Sequence, residues 1–369
     1  MHVDTPAGAT WSRDLDILSL LGRSPLPLDA GAPAEALRGS AVLVTGAGGS
    51  IGVALSQRLC EFSLARLILL DHHEPSLFAV QQQLGGCRLP VAYVLADVRD
   101  RAKMFDVCEK HRPDYVFHLA AYKHVPLGEA NPDQVVATNV LGTSILAEAA
   151  VSSGCRRFVY PSTDKAVEPV NVYGASKRAA ELCLMAGQRE GARTSFAVSR
   201  LVNTIGAQGG VIRLFAQQIA AREPLTLTHP DMTRYWISMD EAVGFLLLAA
   251  VAEPVLGAFI LDLGEPVGLL AIAERLATLI DGPASRPEVR YLGMRPGERL
   301  YELLAYPHET VVPTAFTGLN AALWPCKPDP DALMSGIDRL ERLLPAGETA
   351  AITRQLYAFV RAQGGVPGS

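Results

Sequence analysis

From Ala41 to about residue 205, short apolar runs alternate with segments of helical periodicity. The runs Ala41–Thr45, Leu67–Asp71, Val91–Leu95, Tyr115–Leu119, Phe158–Pro161 and Ser195–Ser199 predict strands. Several are apolar throughout, as strands covered on both faces must be. Between them, Ile51–Phe62, Pro75–Leu84, Arg101–His111, Gln134–Ser152 and Tyr173–Glu190 predict helices. Alternation repeated this often predicts an α/β fold with a parallel, doubly wound sheet. Beyond residue 205 the pattern loosens. A helix over Val211–Arg222 precedes a Pro/Thr/His stretch, and a helix at Asp240–Val251 and a strand at Phe259–Asp262 can return to the main sheet. Further helices are predicted near Leu269–Leu279, Glu298–Leu304, Asp329–Leu344 and Thr349–Ala362. Residues 1–39, rich in Pro, Ala and Leu, read either as an arm that packs on something or as a frayed leader.

One turn in this pattern carries chemistry. Val44-Thr45-Gly46-Ala47-Gly48-Gly49-Ser50-Ile51-Gly52 follows the first strand and opens a helix, with glycines spaced GxxGxxG. Gly46 suits a tight turn, Gly49 a close approach of backbone to a pyrophosphate, and Gly52 close packing of helix on strand. The helix N-terminus, at Ser50 and Ile51, offers free N–H groups and partial positive charge to phosphates. Asp71, nineteen positions beyond Gly52, ends the second strand and is suited to both ribose hydroxyls of a dinucleotide. With His72 and His73 following and no Arg, NAD is favoured over NADP. Asp97, after the third strand, is suited either to the adenine or to capping the next helix. The expected organisation is an arm at 1–39, a Rossmann NAD(P)-binding domain at 40–205 plus about 230–265, and a smaller C-terminal α/β substrate-binding domain at 206–229 and 266–369.

Two clusters supply acid and base. Ser162-Thr163-Asp164-Lys165 stands at the carboxyl end of the fifth predicted strand, where open α/β sheets bind ligands. Tyr173-Gly-Ala-Ser-Lys177 begins a helix, and four residues put Tyr173 and Lys177 on one face. An ammonium beside a phenol stabilises phenolate, so Lys177 is expected to lower the pKa of Tyr173 and also to bind the nicotinamide ribose. The carboxyl of Asp164 and amine of Lys165 add more chemistry than a simple dehydrogenase needs, and they suit a β-elimination.

With these blocks in view, the sequence resembles the UDP-N-acetylglucosamine 4,6-dehydratases, in the polysaccharide-biosynthesis branch of the extended short-chain dehydrogenase/reductases. The resemblance runs from about Asp16 to Leu304. It rests on TGAGGSIG at 45–52, HLAAYKHVPLGEANP at 118–132, TNVLGT at 138–143, STDKAVEPVNVYGASKR at 162–178, THPDMTRYW at 228–236 and GMRPGERLYELL at 293–304. It implies oxidation of a hexose at carbon 4 by Tyr173 with Thr163 and Lys177, removal of the carbon-5 proton by Lys165, and protonation of the departing carbon-6 hydroxyl by Asp164. The hydride then returns to carbon 6, so a tightly bound NAD is recycled. Val98, Ala120 and Lys123 are expected at the cofactor with the glycine loop. Lys123 and His124 are also expected beside the hexose, Asn203, Arg213, Thr226, Arg234 and Arg295 around the UDP, and Glu298 at the uridine ribose. Asn139 is expected to support the backbone of the site. Leu20-Leu21-Gly22-Arg23 resembles the segment that joins the catalytic domain to membrane helices in long members, so a freestanding catalytic form is expected. The chain departs from the family's pattern at Val202, Arg213, Glu168 and Val170. It keeps Tyr173 where many long members have Met.

Bulk properties narrow the setting. A net charge of −5 with 19% charged residues gives no footprint for nucleic acid. The six cysteines, Cys60, Cys87, Cys108, Cys155, Cys183 and Cys326, include no CxxC pair and no zinc-site spacing, so free buried thiols and no metal are expected. Neither a secretory signal nor a membrane span is read; the best candidate, Ala242–Leu261, is broken by Glu253 and Pro254. A cytoplasmic homo-oligomer acting on a UDP-sugar is the resulting expectation. The rivals are an NAD-dependent UDP-sugar 4-epimerase, which has no use for Asp164 and Lys165, and a silent NAD-binding scaffold, which needs none of the five catalytic candidates.

Overall fold

A nine-stranded sheet organises most of the chain. The computed structural model describes residues 20–207 and 209–362. The strands are β1 (Ala41–Thr45), β2 (Arg66–Asp71), β3 (Val91–Leu95), β4 (Tyr115–His118), β5 (Arg157–Thr163), β6 (Ser195–Leu201), β7 (Gly257–Leu261), β8 (Thr310–Pro313) and β9 (Leu319–Leu323). Their order is β8-β9-β7-β6-β5-β4-β1-β2-β3. From β3 to β7 all pairings are parallel; β9 pairs antiparallel with both β7 and β8. The order reverses direction between β1 and β4, the switch point at which such sheets bind ligands. Every residue of β1, β4 and β5 is buried, which is why these strands carry no polar alternation.

The first five helices labelled here are α1 (Ser50–Leu59), α2 (Glu74–Gln83), α3 (Arg101–His111), α4 (Pro132–Ser152) and α5 (Val172–Gly187). Local chemistry starts three of them: His73 accepts from the Ser76 N–H at α2, Asp100 from the Lys103 N–H at α3, and Asn171 from the Gly174 N–H at α5. α4 contains a π-helical stretch at Ala137–Gly142. By length and composition α4 could cross a membrane, but 61% of its most apolar stretch is buried inside the protein, as for a core helix.

Two compact units divide the described residues. The sheet unit groups 28–201, 243–262 and 303–362; the small unit groups 20–27, 202–242 and 263–302. The core of the first includes Leu43, Ile68, Phe158 and Tyr160 with Leu333, Leu340 and Leu356 from the C-terminal helices. The core of the second is built from Ile212, Phe215, Trp236, Ile272 and Leu276, together with Leu20 and Leu21. Of the two readings of the N-terminal arm, packing therefore holds from Leu20 onward, while residues 1–19 lie outside the described residues. The arm is held by ion pairing as well: Arg23 donates to both oxygens of Glu241 (2.7 and 2.9 Å), and Arg275 to the carbonyls of Leu20 and Leu21.

Three expectations are corrected. Residues 303–362 group with the sheet unit rather than with the smaller one, because β8 and β9 extend the sheet, and residues 230–242, expected in the nucleotide-binding domain, group with the small unit. Glu298–Leu304 is irregular rather than helical; Pro296-Gly297 precedes it, and Arg234 holds the carbonyls of Arg299 and Leu300 away from a helical ladder. Cys60 and Cys87 form a disulfide, because the end of α1 and the loop after α2 meet with Cα atoms 5.5 Å apart. Cys108 and Cys155 are buried free thiols, while Cys326 is exposed.

Candidate active site and dinucleotide cradle

The glycine loop lies at the switch point. Gly46 has φ +66°, and a Cβ there would stand 2.6 Å from the Ala120 nitrogen, so the loops after β1 and β4 touch backbone to backbone. Gly49 is the first residue before α1, no side chain caps that helix end, and Ser50 and Ile51 form its first turn. Such an end is an anion site. Asp71 is buried at the end of β2, where Oδ2 accepts the Gly48 N–H (2.8 Å) and Oδ1 the His73 N–H (2.9 Å). A carboxylate oxygen has two lone pairs, so Asp71 shapes the loop and keeps acceptors for ribose hydroxyls. These residues fit a dinucleotide: an uncapped helix end for the pyrophosphate and an acid one strand away for the ribose. Of the two roles expected of Asp97, capping the next helix is corrected. It is paired with Arg99 at 2.6–3.0 Å, and the next helix is capped by Asp100. Val98 is buried beneath Gly142 of α4.

No role was expected of His118, which ties this loop to α4. Its imidazole is buried between the hydroxyls of Thr45 (2.7 Å) and Thr143 (2.9 Å), and burial lowers its pKa to about 3, so it is neutral. Asn139 braces the loop after β4 through both atoms of its amide: Oδ1 accepts from the Tyr122 N–H, and Nδ2 donates to the Tyr122 carbonyl and the Ser176 hydroxyl, all at 2.9 Å. Lys123 and His124 follow on that loop, exposed at the start of the short helix Val125–Ala130.

β5 runs straight into the acid–base triplet. Thr163 ends the strand, and Asp164–Ala166 form one 3₁₀ turn. Asp164 is enclosed, and its Oδ1 accepts from the Thr163 hydroxyl (2.9 Å) and from Lys165 Nζ (2.9 Å). Its Oδ2 is equally buried and has no hydrogen-bond partner in the protein. A buried unsatisfied carboxylate oxygen costs about 1–3 kcal/mol or more and calls for a donor. Gly174 lets α5 press against this turn; a Cβ there would lie 2.0 Å from the Lys165 carbonyl oxygen.

Tyr173 and Lys177 both lie on α5. Burial raises the Tyr173 pKa; the opposing influences are the Lys165 ammonium and the hydrogen-bonded Thr163 hydroxyl. Lys177 turns inward, its Nζ 3.9 Å from the centre of the Tyr160 ring, and burial drops its pKa to about 7. Lys165, not expected to act on the phenol, therefore joins the charges around Tyr173.

A second set of charges behind the triplet was missed. Arg200 on β6 is fully enclosed and donates to Glu181 (3.1 and 3.2 Å) and to Glu309 (2.6 and 2.8 Å). Arg178 donates to Glu181 at 2.9 Å, and the Ser162 hydroxyl donates to the other Glu181 oxygen. Arg200 and Glu181 are charged residues within otherwise apolar runs of a buried strand and helix. That signal was available, but it does not identify the partner.

The remaining candidates lie in the small unit. Asn203 donates to the Tyr235 carbonyl (3.3 Å), and the Thr226 hydroxyl accepts from Gln218 (2.8 Å). Arg213 is half-buried in the helix Val211–Ala220. Arg234 donates to the carbonyls of Thr233, Arg299 and Leu300 at 2.7–3.1 Å, so much of its donor capacity holds the 299–302 segment. Glu298 accepts from the Arg295 N–H at 3.1 Å, and Arg295 is exposed.

A reversed-order parallel sheet, a glycine turn at its switch point and acid–base residues at the end of β5 define a dinucleotide-binding α/β protein of the Rossmann class. The chain belongs to the polysaccharide biosynthesis protein family, whose model matches residues 42–322. It is 39% identical over 300 residues to the capsular polysaccharide biosynthesis protein CapD of Staphylococcus aureus, covering 80% of this chain and 50% of that one. The chain therefore spans about half the length of that relative. A UDP-N-acetylglucosamine 4,6-dehydratase (inverting) of Campylobacter jejuni is 31% identical over 275 residues, 72% of this chain and 77% of that one. A UDP-glucose 4-epimerase of Rickettsia canadensis is 32% identical over 271 residues, 71% and 76% of the two chains. Among solved structures, Pen from Bacillus thuringiensis superposes with a TM-score of 0.71 at 27% identity, covering 79% of this chain and 89% of that one.

Proposed function

We propose that this protein is an NAD-dependent UDP-sugar 4,6-dehydratase acting on a UDP-N-acetylhexosamine, with UDP-N-acetylglucosamine as the substrate to test first. The observation that carries the reading is the buried Asp164 carboxylate, bonded through one oxygen to Lys165 and Thr163 and unpartnered at the other. A donor from outside the protein, such as a sugar hydroxyl, would satisfy Oδ2. When bound, the dinucleotide supplies a hydride acceptor for carbon 4 and returns that hydride to carbon 6.

The side chains supply the proton chemistry. Tyr173, in the phenolate form that the Lys165 charge and the Thr163 hydroxyl favour against burial, takes the proton of the carbon-4 hydroxyl and becomes the phenol. The new ketone acidifies carbon 5. The 2.9 Å contact between Lys165 and Asp164 is then a path for one proton. Its transfer leaves a neutral amine to take the carbon-5 proton and a carboxylic acid to protonate the departing carbon-6 hydroxyl. Lys177, at a pKa of about 7, holds the cofactor ribose rather than driving the proton steps. Asn203, Arg213, Thr226, Arg234, Arg295 and Glu298 are assigned to the UDP, with Arg295 suited to paired bonds to its diphosphate.

A UDP-sugar 4-epimerase, favoured by the match to the Rickettsia protein, makes the same carbon-4 oxidation but no use of the Asp164–Lys165 pair. Incubation with UDP-N-acetylglucosamine and NAD in heavy water, followed by NMR and mass spectrometry, separates the two. A product lighter by one water with deuterium at carbon 5 supports the dehydratase. A sugar of unchanged mass with the carbon-4 configuration inverted defeats it.

A further inference from the structure

The turn that carries Asp164 and Lys165 is held at both ends by groups that no catalytic motif contains. At its front, the Ser162 hydroxyl is bonded to Glu181. At its back, the Tyr306 hydroxyl donates to the Ala166 carbonyl (3.0 Å). Glu168 has φ +43°, a left-handed conformation that costs a non-glycine residue of order 1 kcal/mol or more and persists only where the surroundings enforce it. The Tyr306 hydroxyl is bonded to the carbonyl two residues before that strained position.

Tyr306 is itself immobilised. Its N–H donates to Glu309 Oε2 (2.9 Å), its ring packs under the guanidinium of Arg178 (4.6 Å), and Arg200 donates to the Leu304 carbonyl (3.1 Å). Arg178, Glu181, Arg200 and Glu309 are each at most 8% exposed. The two arginines and two glutamates balance in charge, and Arg200 bonds both carboxylates. Both anchors of the catalytic turn therefore end in one neutral, water-excluded network.

We propose that Tyr306 is a positioning residue for the elimination step. Its hydroxyl fixes the backbone of the 164–168 turn, and so fixes the Asp164–Lys165 pair against the sugar. This assignment rests on the dehydratase reading for its kinetic consequence and on the geometry alone for its mechanical one. A misplacement of about 1 Å at a reacting group can cost on the order of a hundredfold in rate, which is what loss of the clamp threatens.

The test is Tyr306→Phe in the full chain, read in two ways. In amide hydrogen exchange without substrate or cofactor, Y306F is expected to speed exchange across 164–168 by about tenfold, the loss of one hydrogen bond, while β1 and α1 keep wild-type protection. In turnover with UDP-N-acetylglucosamine, kcat for water loss is expected to fall at least about tenfold with KM little changed, as for an interaction made only in the transition state. Glu309→Gln, which loosens Tyr306 from its other side without removing the hydroxyl, should move the exchange in the same direction by less and keeps the test open should Y306F fold poorly. Unchanged exchange at 164–168 in both variants overturns the clamp whatever the activity. Faster exchange with wild-type kcat overturns its catalytic consequence. A wild-type chain that dehydrates no UDP-sugar sinks the functional reading instead, and the exchange measurement still decides the clamp.

Discussion

Arg200 and Arg295 carry the same guanidinium on opposite terms. Arg200 is enclosed in the sheet unit, where its nitrogens make five hydrogen bonds, four of them to two carboxylates. Arg295 is exposed on an irregular segment of the small unit, where its own N–H is bonded to Glu298. The wider regions differ likewise. Around Asp164 the charges are withdrawn from water and locked to one another. Around Arg295 and Glu298 the chain is held by turns and by the carbonyl contacts of Arg234. Proton transfer demands fixed distances, whereas capture of a diphosphate tolerates side chains that settle onto their ligand. The difference is between preorganisation bought at folding and contact made at binding.

If that contrast is right, Lys165→Met should have the largest effect. Removing the base is expected to slow water loss by roughly 10²–10⁴-fold. A K165M protein that dehydrates at the wild-type rate would show that the locked corner is not where the chemistry happens. Next comes Arg200→Met, which strips Glu181 and Glu309 of a shared buried partner. Urea unfolding should reveal a loss of about 3–5 kcal/mol, the usual result of breaking a buried ion network from one side.

Stability should also depend on pH. Burial holds Lys177 at about 7 in the folded protein, below its ordinary 10.5. Between those two values the unfolded chain binds more protons than the folded one. Stability therefore rises with pH through this window, by at most about 1.4 kcal/mol per pH unit, and the destabilisation is complete below the folded value. The pH dependence of unfolding of the cofactor-free protein checks this; Lys177→Met should flatten the rise. The smallest change in stability belongs to Arg295→Met, within about 0.5 kcal/mol as for an exposed site, accompanied by a higher KM for the UDP-sugar at unchanged kcat. Should R295M and R200M lose equal stability, the contrast between the two regions fails.

Much of the sheet unit was legible in the sequence because its signals are local. A run such as Val42-Leu43-Val44 is apolar because both faces of β1 are covered. The catalytic candidates were legible as a group, since Thr163, Asp164 and Lys165 end a buried strand. Their partnerships were not. Spacing put Tyr173 and Lys177 on one face, but only the fold shows that Lys177 meets the Tyr160 ring and that the Lys165 charge acts on the phenol. The helix expected at Glu298–Leu304 failed for a similar reason: its periodicity was apparent, but Arg234 takes the backbone carbonyls instead.

By itself the amino-acid order determined a β–α alternation, a glycine turn after the first strand, and an acid, an amine and a phenol near the end of the fifth. These follow from rules acting over a few residues: side-chain periodicity, backbone freedom at glycine and the caps of helices. Only the tertiary structure decided that β8 and β9 join the sheet, that Cys60 meets Cys87, and that Tyr306 and Glu309 close around a turn more than a hundred positions earlier in the chain. Contacts at such separations leave no period in the sequence. They are chosen by which buried donors and acceptors the packed core must satisfy.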